Sequence, residues 1–247
     1  MPKIEVYEDA LYRYIGKKVE GDEFVKLLSC AKAEFDGRED DLLKIELNDT
    51  NRPDLWSTAG IGRQLRIYTG GKQENYSFFS SAKEAKECGN RVIEVDPALE
   101  KIRPYIAAFA VRGSGIDESS LKDIIQTQEK LCWNYGQKRK TIAMGVYRSD
   151  LLEYPVRYMA ADPDATSFVP LAFEKSLTLR EIIREHPKGQ EFGNIVSGFD
   201  RFPFITDSRG KTLSFPPVIN SNDVGAVKVG DKELFIEMTG TEIYSLM

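Results

Sequence analysis

From Phe202 to Gly240 the chain reads as short apolar runs broken by turn residues. These are Phe202 to Thr206, Thr212 to Phe215 after Asp207-Ser208-Arg209-Gly210, Ala226 to Val229 before Gly230-Asp231, and Glu233 to Met238 before Thr239-Gly240. Runs of four to six residues between turn signals are strand-length and too short for helices, so this part of the chain is predicted to build a sheet. Polar residues sit at the ends of these runs: Ser214 before Phe215-Pro216-Pro217, Asn220 after Val218-Ile219, and Glu237 and Thr239 around Met238. Groups of this kind at strand ends are either satisfied structural polar groups or the lining of a small polar pocket.

Upstream the pattern alternates. A strand is predicted over Lys3 to Val6, followed by helices over Asp9 to Ile15 and over Asp22 to Ala33, where Phe24, Leu27, Leu28 and Ala31 share a face. Leu42 to Leu47 reads as a strand. Asn51-Arg52-Pro53-Asp54 then reads as a helix entry, with capping residues, a proline tolerated in a first turn, and Arg52 free to pair with an aspartate; the helix runs to about Tyr68 and stops at Gly70-Gly71. Residues 69 to 91 are weakly patterned and make the best linker, which divides the chain into domains 1–84 and 85–247. In the second domain Val92 to Val95 and Arg103 to Val111 read as strands, the latter apolar enough to be buried. Asp117 caps a helix carrying Leu121, Ile124, Ile125, Gln128, Leu131, Cys132 and Tyr135, ended by Gly136. Thr141 to Tyr147 is a strand with Gly145 inside it, and Thr178-Leu179-Arg180-Glu181 is a capping box. The predicted class is α+β: a small N-terminal α/β domain, then a larger mixed-sheet domain with flanking helices. Thr241 to Met247 starts like a capped helix and stops within two turns, so the chain is expected to be a piece of a longer one.

Several chemistries are disfavoured. His186 is the single histidine and directly precedes Pro187 at a helix end, which suits a structural role better than a Ser-His-Asp system. Gly210-Lys211-Thr212 lacks the earlier glycine of a phosphate loop, since Ile205 stands there; Gly60-Ile61-Gly62 lacks the third glycine of a dinucleotide fingerprint, where Leu65 stands. Cys30, Cys88 and Cys132 are widely spaced and odd in number, so they read as reduced thiols, mostly in cores, and no metal set is expected. The N-terminus has no apolar signal core and no segment suits a membrane helix, so a cytoplasmic location is expected; Asn48-Asp49-Thr50 and Asn75-Tyr76-Ser77 are then chance glycosylation matches. A formal charge of −5 argues against a generally basic nucleic-acid surface, leaving Lys138-Arg139-Lys140 as a compact local candidate for a nucleic-acid contact.

Several motifs, taken together, resemble the N-terminal part of phenylalanyl-tRNA synthetase β subunits of the archaeal and eukaryotic type. They are Asp49-Thr50-Asn51-Arg52-Pro53-Asp54-Leu55-Trp56-Ser57 with Gly60, Lys101-Ile102-Arg103-Pro104-Tyr105, Gln128-Glu129-Lys130-Leu131, Ala143-Met144-Gly145-Val146, Ser214-Phe215-Pro216-Pro217 and Phe235-Ile236-Glu237-Met238-Thr239-Gly240. The resemblance covers nearly the whole chain. It implies an N-terminal structural domain and an amino-acid editing domain that hydrolyses tyrosine wrongly attached to phenylalanine tRNA, with the aminoacylation site on a partner α subunit.

The resemblance also implies a pocket at Ile205, Ser214, Glu237 and Thr239, with Asn220 and Gly145 as neighbours. The first position is commonly leucine in the family, and the third is aspartate or glutamate. Glu237 and Thr239 are the expected catalytic groups, whereas Ile205, Ser214, Asn220 and Gly145 are expected to contact substrate. Glu237 is left open between phenol recognition, water positioning and both. Editing is expected to need no cofactor, ATP and magnesium belonging to the complete synthetase. The expected partners are the 3′ end of phenylalanine tRNA and the α subunit, and no membrane. Two other classes stay open: a docking module without activity in isolation, and a free-standing deacylase.

Overall fold

The computed structural model describes residues 2–48, 51–73 and 89–246. Contacts divide the chain into two compact units, one of residues 1–83 with 117–134 and one of residues 84–116 with 135–247. Asp49, Thr50, Asn75, Cys88 and most of the expected linker lie outside the described residues.

The first unit is a three-stranded antiparallel sheet, ordered β1 (Lys3–Tyr7), β3 (Leu42–Leu47), β2 (Ala33–Glu39), under helices α1 (Glu8–Ile15), α2 (Gly21–Ser29) and α3 (Thr58–Tyr68). Alternation does its ordinary work here. Ile4 and Val6 of β1 and Leu43, Ile45 and Leu47 of β3 point into one core, met by Leu11 and Ile15, Phe24 and Leu28, and Ile61 and Leu65 of the three helices. Ser57 caps α3 by accepting from Gly60 N. Arg52 forms a two-pronged pair with Asp54, Nε to Oδ1 at 2.9 Å and Nη2 to Oδ2 at 2.7 Å, as the architectural interpretation of that motif requires.

Two expectations change in this unit. The second helix ends at Ser29, and Ala33 opens β2, an edge strand whose sequence AEFDGRE is polar because most of it faces water. The helix capped by Asp117, α4 (Glu118–Lys130), stands after the linker in sequence yet packs with the first unit. Its hold is polar. Asp123 Oδ1 accepts from Thr58 N at 2.7 Å and Thr58 Oγ1 at 2.9 Å, while Gln126 exchanges bonds with the backbone N–H and C=O of Glu5.

The second unit carries a five-stranded sheet in the order β12 (Ile219–Asn220), β11 (Thr212–Phe215), β10 (Phe202–Thr206), β7 (Val156–Ala161), β4 (Ile93–Val95), with β4 parallel to β7 and the rest antiparallel. A three-stranded antiparallel sheet has β13 (Glu233–Gly240) at its centre between β5 (Tyr105–Arg112) and β6 (Ile142–Arg148). A two-stranded ribbon, β8 (Ser167–Phe168) with β9 (Leu177–Thr178), leads into α5 (Leu179–Glu185) and α6 (Pro187–Phe192).

β10 is buried on both faces. Phe202 and Phe204 join a cluster with Leu179 and Ile182 of α5, whereas Ile205 faces a second cluster with Tyr147 of β6, Phe235 of β13, Tyr158 of β7 and Leu213 of β11. That second cluster joins residues of the two larger sheets in one core.

β5, expected to be buried, is an edge strand with Phe109 and Val111 exposed, because it pairs with β13 alone. Ala226 to Val229, expected as a strand, runs as irregular chain into the turn at Gly230; the apolar residue that reaches the core from this region is Val224. Among the described residues from Thr241, a short turn at Ile243–Ser245 stands where a helix was expected. Among the free thiols described, Cys132 is buried but Cys30 is exposed rather than in the core. No described helix is long and apolar enough to cross a membrane.

Candidate functional site

β13 supplies the centre of the site. Residues two apart on a strand share a face, so Glu237 and Thr239 project together. Opposite Glu237 in register stands Gly145 of β6, and opposite Thr239 stands Ala143. Small residues here leave room for larger neighbours. The room above Gly145 goes to Tyr147, two residues along the same strand: a Cβ on Gly145 would lie 2.0 Å from the Tyr147 hydroxyl and 2.5 Å from Glu237 Oε1.

That hydroxyl is the hub of the site. It donates to Glu237 Oε1 at 2.8 Å and lies 2.9 Å from Ser214 Oγ and 3.4 Å from Asn220 Oδ1. Ser214 faces Ile205 across the β10–β11 pairing and Asn220 across the β11–β12 pairing, so both arrive through the five-stranded sheet. Ile205 is fully buried and forms an apolar wall beside them.

Glu237 is 3 % exposed. Burial pushes its carboxyl up to about 7, against the opposing pull of the Tyr147 hydrogen bond and the Arg103 charge. Its Oε2 atom is buried and has no hydrogen-bond partner among the described residues.

Thr239 has a different partner. Arg103, 1 % exposed, donates from Nε to Thr239 Oγ1 at 2.9 Å and from Nη2 to Thr239 O at 2.6 Å. Its Nη1 lies 3.0 Å from the carbonyl of Lys140 and 3.3 Å from that of Arg139. The Tyr158 hydroxyl donates to Arg103 O at 2.7 Å, and burial pushes that phenol upward. Arg103 therefore orients Thr239, and its guanidinium is the positive charge closest in effect to Glu237.

The residues expected in the site thus fall into groups. Glu237, Ser214, Asn220 and Gly145 converge on the Tyr147 hydroxyl, Ile205 flanks them, and Thr239 belongs to the Arg103 network. The three side chains of the basic cluster have different surroundings. Arg139 Nη1 donates to the carbonyls of Pro217 and Val218 at 3.0 and 2.9 Å, and its guanidinium lies 4.1 Å over the Phe192 ring. These contacts tie the Arg139 side chain to the segment after Pro216 and to α6. Lys138 and Lys140 are exposed. Gln137, Lys138 and Arg139 all have positive φ, a strained backbone that the Arg103 and Arg139 bonds hold from two sides.

His186 is committed elsewhere: Nδ1 accepts from Lys188 N to cap α6, and Nε2 lies 3.2 Å from Leu171 O. Both ring nitrogens are occupied, so Ser214 has no histidine base to activate it.

Tyr147 and Arg103 are the site residues that sequence reasoning missed. Tyr147 closes an apolar strand and resembles a core aromatic. Arg103 was visible as a charge at the start of an apolar run, a pattern that calls for a buried partner.

Comparison with known proteins places the chain in a family. No protein-family model matches the chain. The phenylalanine–tRNA ligase β subunit of Borrelia turicatae is 47% identical over 246 residues, which is 98% of this chain and 43% of that protein. The corresponding subunit of Borreliella afzelii is 44% identical over 244 residues, with the same coverage. Among solved structures, an N-terminal fragment of the phenylalanyl-tRNA synthetase β subunit from Pyrococcus horikoshii superimposes with a TM-score of 0.90 at 35% identity, covering 99% of this chain and 70% of that one. The chain spans 43% of the length of the bacterial relatives it matches.

Proposed function

Since this chain belongs to the phenylalanyl-tRNA synthetase β-subunit family, we propose that its second unit is an editing hydrolase that removes tyrosine from phenylalanine tRNA. The observation that carries this reading is the buried Glu237 carboxyl with one oxygen on a phenol and the other without a partner.

The task has a physical origin. A synthetic pocket that admits phenylalanine rejects a substrate with one added hydroxyl only weakly, whereas a site built to bond that hydroxyl rejects the analogue lacking it strongly. Glu237 supplies such a test, because phenylalanine would leave its Oε2 unpaired at a cost of about 1–3 kcal/mol. Ile205 closes the apolar side of the ring site. A carboxyl that titrates near neutral pH is also suited to take a proton from water, so Glu237 is compatible with phenol recognition and water activation.

The step is ester hydrolysis. Water oxygen bonds to the tyrosyl carbonyl carbon, the bond to the ribose oxygen of the terminal adenosine breaks, and that oxygen takes a proton. Free tyrosine and uncharged tRNA leave. Thr239, held by Arg103, is positioned to orient polar groups of the substrate, and Ser214 serves as a hydrogen-bonding wall rather than a covalent nucleophile. The exposed Lys138 and Lys140 are assigned to the phosphates near the 3′ end of the tRNA.

No cofactor takes part in this chemistry; ATP and magnesium belong to aminoacylation by the complete synthetase, with an α subunit as partner in the cytoplasm. The first unit is assigned an architectural role.

The test is deacylation of tyrosyl- and phenylalanyl-tRNA(Phe) by the purified chain and by the full-length subunit assembled with its α partner. Tyrosine should be released at least tenfold faster than phenylalanine. Equal loss of both at the uncatalysed rate, in the chain and in the assembled enzyme, would remove the editing assignment.

A further inference from the structure

The proposed acceptor of a substrate phenol already holds a phenol of the protein. Tyr147 is fully buried, and its hydroxyl occupies the space that Gly145 leaves open, in contact with Glu237 Oε1 and Ser214 Oγ. The carboxyl is therefore divided. Oε1 is taken, while Oε2 is buried without a partner among the described residues. A carboxyl held on one side cannot turn to satisfy its other oxygen without breaking the bond it has.

Resting on the tyrosyl-ester reading of this site, we infer that Tyr147 is its specificity-positioning residue: its phenol fixes Oε1 of Glu237 and thereby presents Oε2 to the phenol O–H of the substrate. The discriminating geometry is then a protein tyrosine and a substrate tyrosine sharing one carboxyl. Gly145 belongs to the same device as the residue that admits the Tyr147 hydroxyl, rather than as a direct substrate contact. The titratable and charged groups that act on Glu237 are Tyr147 from β6, Arg103 from the segment before β5, and Tyr158 from β7, the last coupled through charge.

The experiment uses the full-length β subunit assembled with its α partner and carrying Tyr147→Phe, which keeps the ring and removes the hydroxyl. KM for tyrosyl-tRNA(Phe) should rise about tenfold, and selectivity for tyrosine over phenylalanine should fall about tenfold. The limb of the pH–rate profile set by Glu237 should move to higher pH, because the lost hydrogen bond favours the ionised form. That limb reports the hydrogen bond to Glu237 itself, and the loss of selectivity is the readout that a purely structural role for Tyr147 would not produce. The double variant Tyr147→Phe/Glu237→Gln should match Glu237→Gln alone, since one residue acts through the other; additive losses would overturn the inference.

A measurement on the unaltered protein guards against a folding defect in the variants. The carbon-13 carboxyl resonance of Glu237 should shift on adding L-tyrosinamide and stay in place with L-phenylalaninamide. Retained selectivity and an unmoved pH limb in Tyr147→Phe would defeat the role of Tyr147 alone. Absence of any tyrosine preference in the unaltered enzyme would defeat the reading of the site beneath it.

Discussion

Glu237 has a cost to the fold beside the role proposed for it. Burial holds its proton more tightly in the folded chain than in the unfolded one, where a glutamate titrates near 4.5. Between about pH 4.5 and 7 the native state therefore binds more protons than the unfolded state, and by linkage stability falls as pH rises through that window and levels off above it. The difference accumulated across the window is on the order of 3 kcal/mol. Glu237→Gln should erase this contribution, so the difference in unfolding free energy between the variant and the parent should grow in the variant's favour from pH 5 to pH 7.5. Urea titrations at three pH values would measure it, and a constant difference would show that the carboxyl is not strained by burial. Such a carboxyl was legible in the sequence as a charge inside an apolar strand. Its partners were not, because the Tyr147 hydroxyl reaches Ser214 and Glu237 over 67 and 90 residues of chain, and no local pattern records that pairing.

Elements show the same division between local and distant information. The capping box at Thr178 was readable because its two bonds close within four residues, and both form: Glu181 N donates to Thr178 Oγ1, and Thr178 N donates to the Glu181 side chain. The Asp117 cap of α4 was readable for the same reason. Where α4 would pack was not, since its attachment uses Asp123 and Gln126, polar residues that look like a solvated helix face. β5 misled in the opposite direction: an apolar run suggested a buried strand, and its edge position leaves much of it exposed. Asp123→Ala should therefore destabilise the first unit, by about 1–3 kcal/mol, because it strips the acceptor from the Thr58 N–H and hydroxyl at the start of α3. Hydrogen exchange of the α3 amides would detect the loss, and protection equal to the parent would show that α4 does not support α3.

At the scale of the whole molecule, the class of fold was legible because helix and strand periodicities are local, and the interleaving of α4 with the first unit was not, because it depends on which surfaces meet. Charge is the property that belongs to this scale. With a formal net charge of −5 the chain does not draw nucleic acid by a general field, so the tRNA contact that the proposed function requires is a local one. On the proposed editing function that contact falls to the turn bearing Lys138 and Lys140, whose carbonyls Arg103 bonds while orienting Thr239 and which Arg139 ties to the carbonyls after Pro216. The lysines thus ride on a backbone anchored to the site, whereas Arg139 is spent inside it. Lys138→Glu with Lys140→Glu should raise KM for tyrosyl-tRNA(Phe) several-fold while leaving kcat and the hydrolysis of a tyrosyl ester lacking the tRNA body unchanged. The salt dependence should weaken as well, by roughly one unit of log–log slope for each phosphate contact removed. A KM and a salt slope equal to the parent's would place the tRNA on another face of the synthetase and leave the turn a structural brace for Thr239.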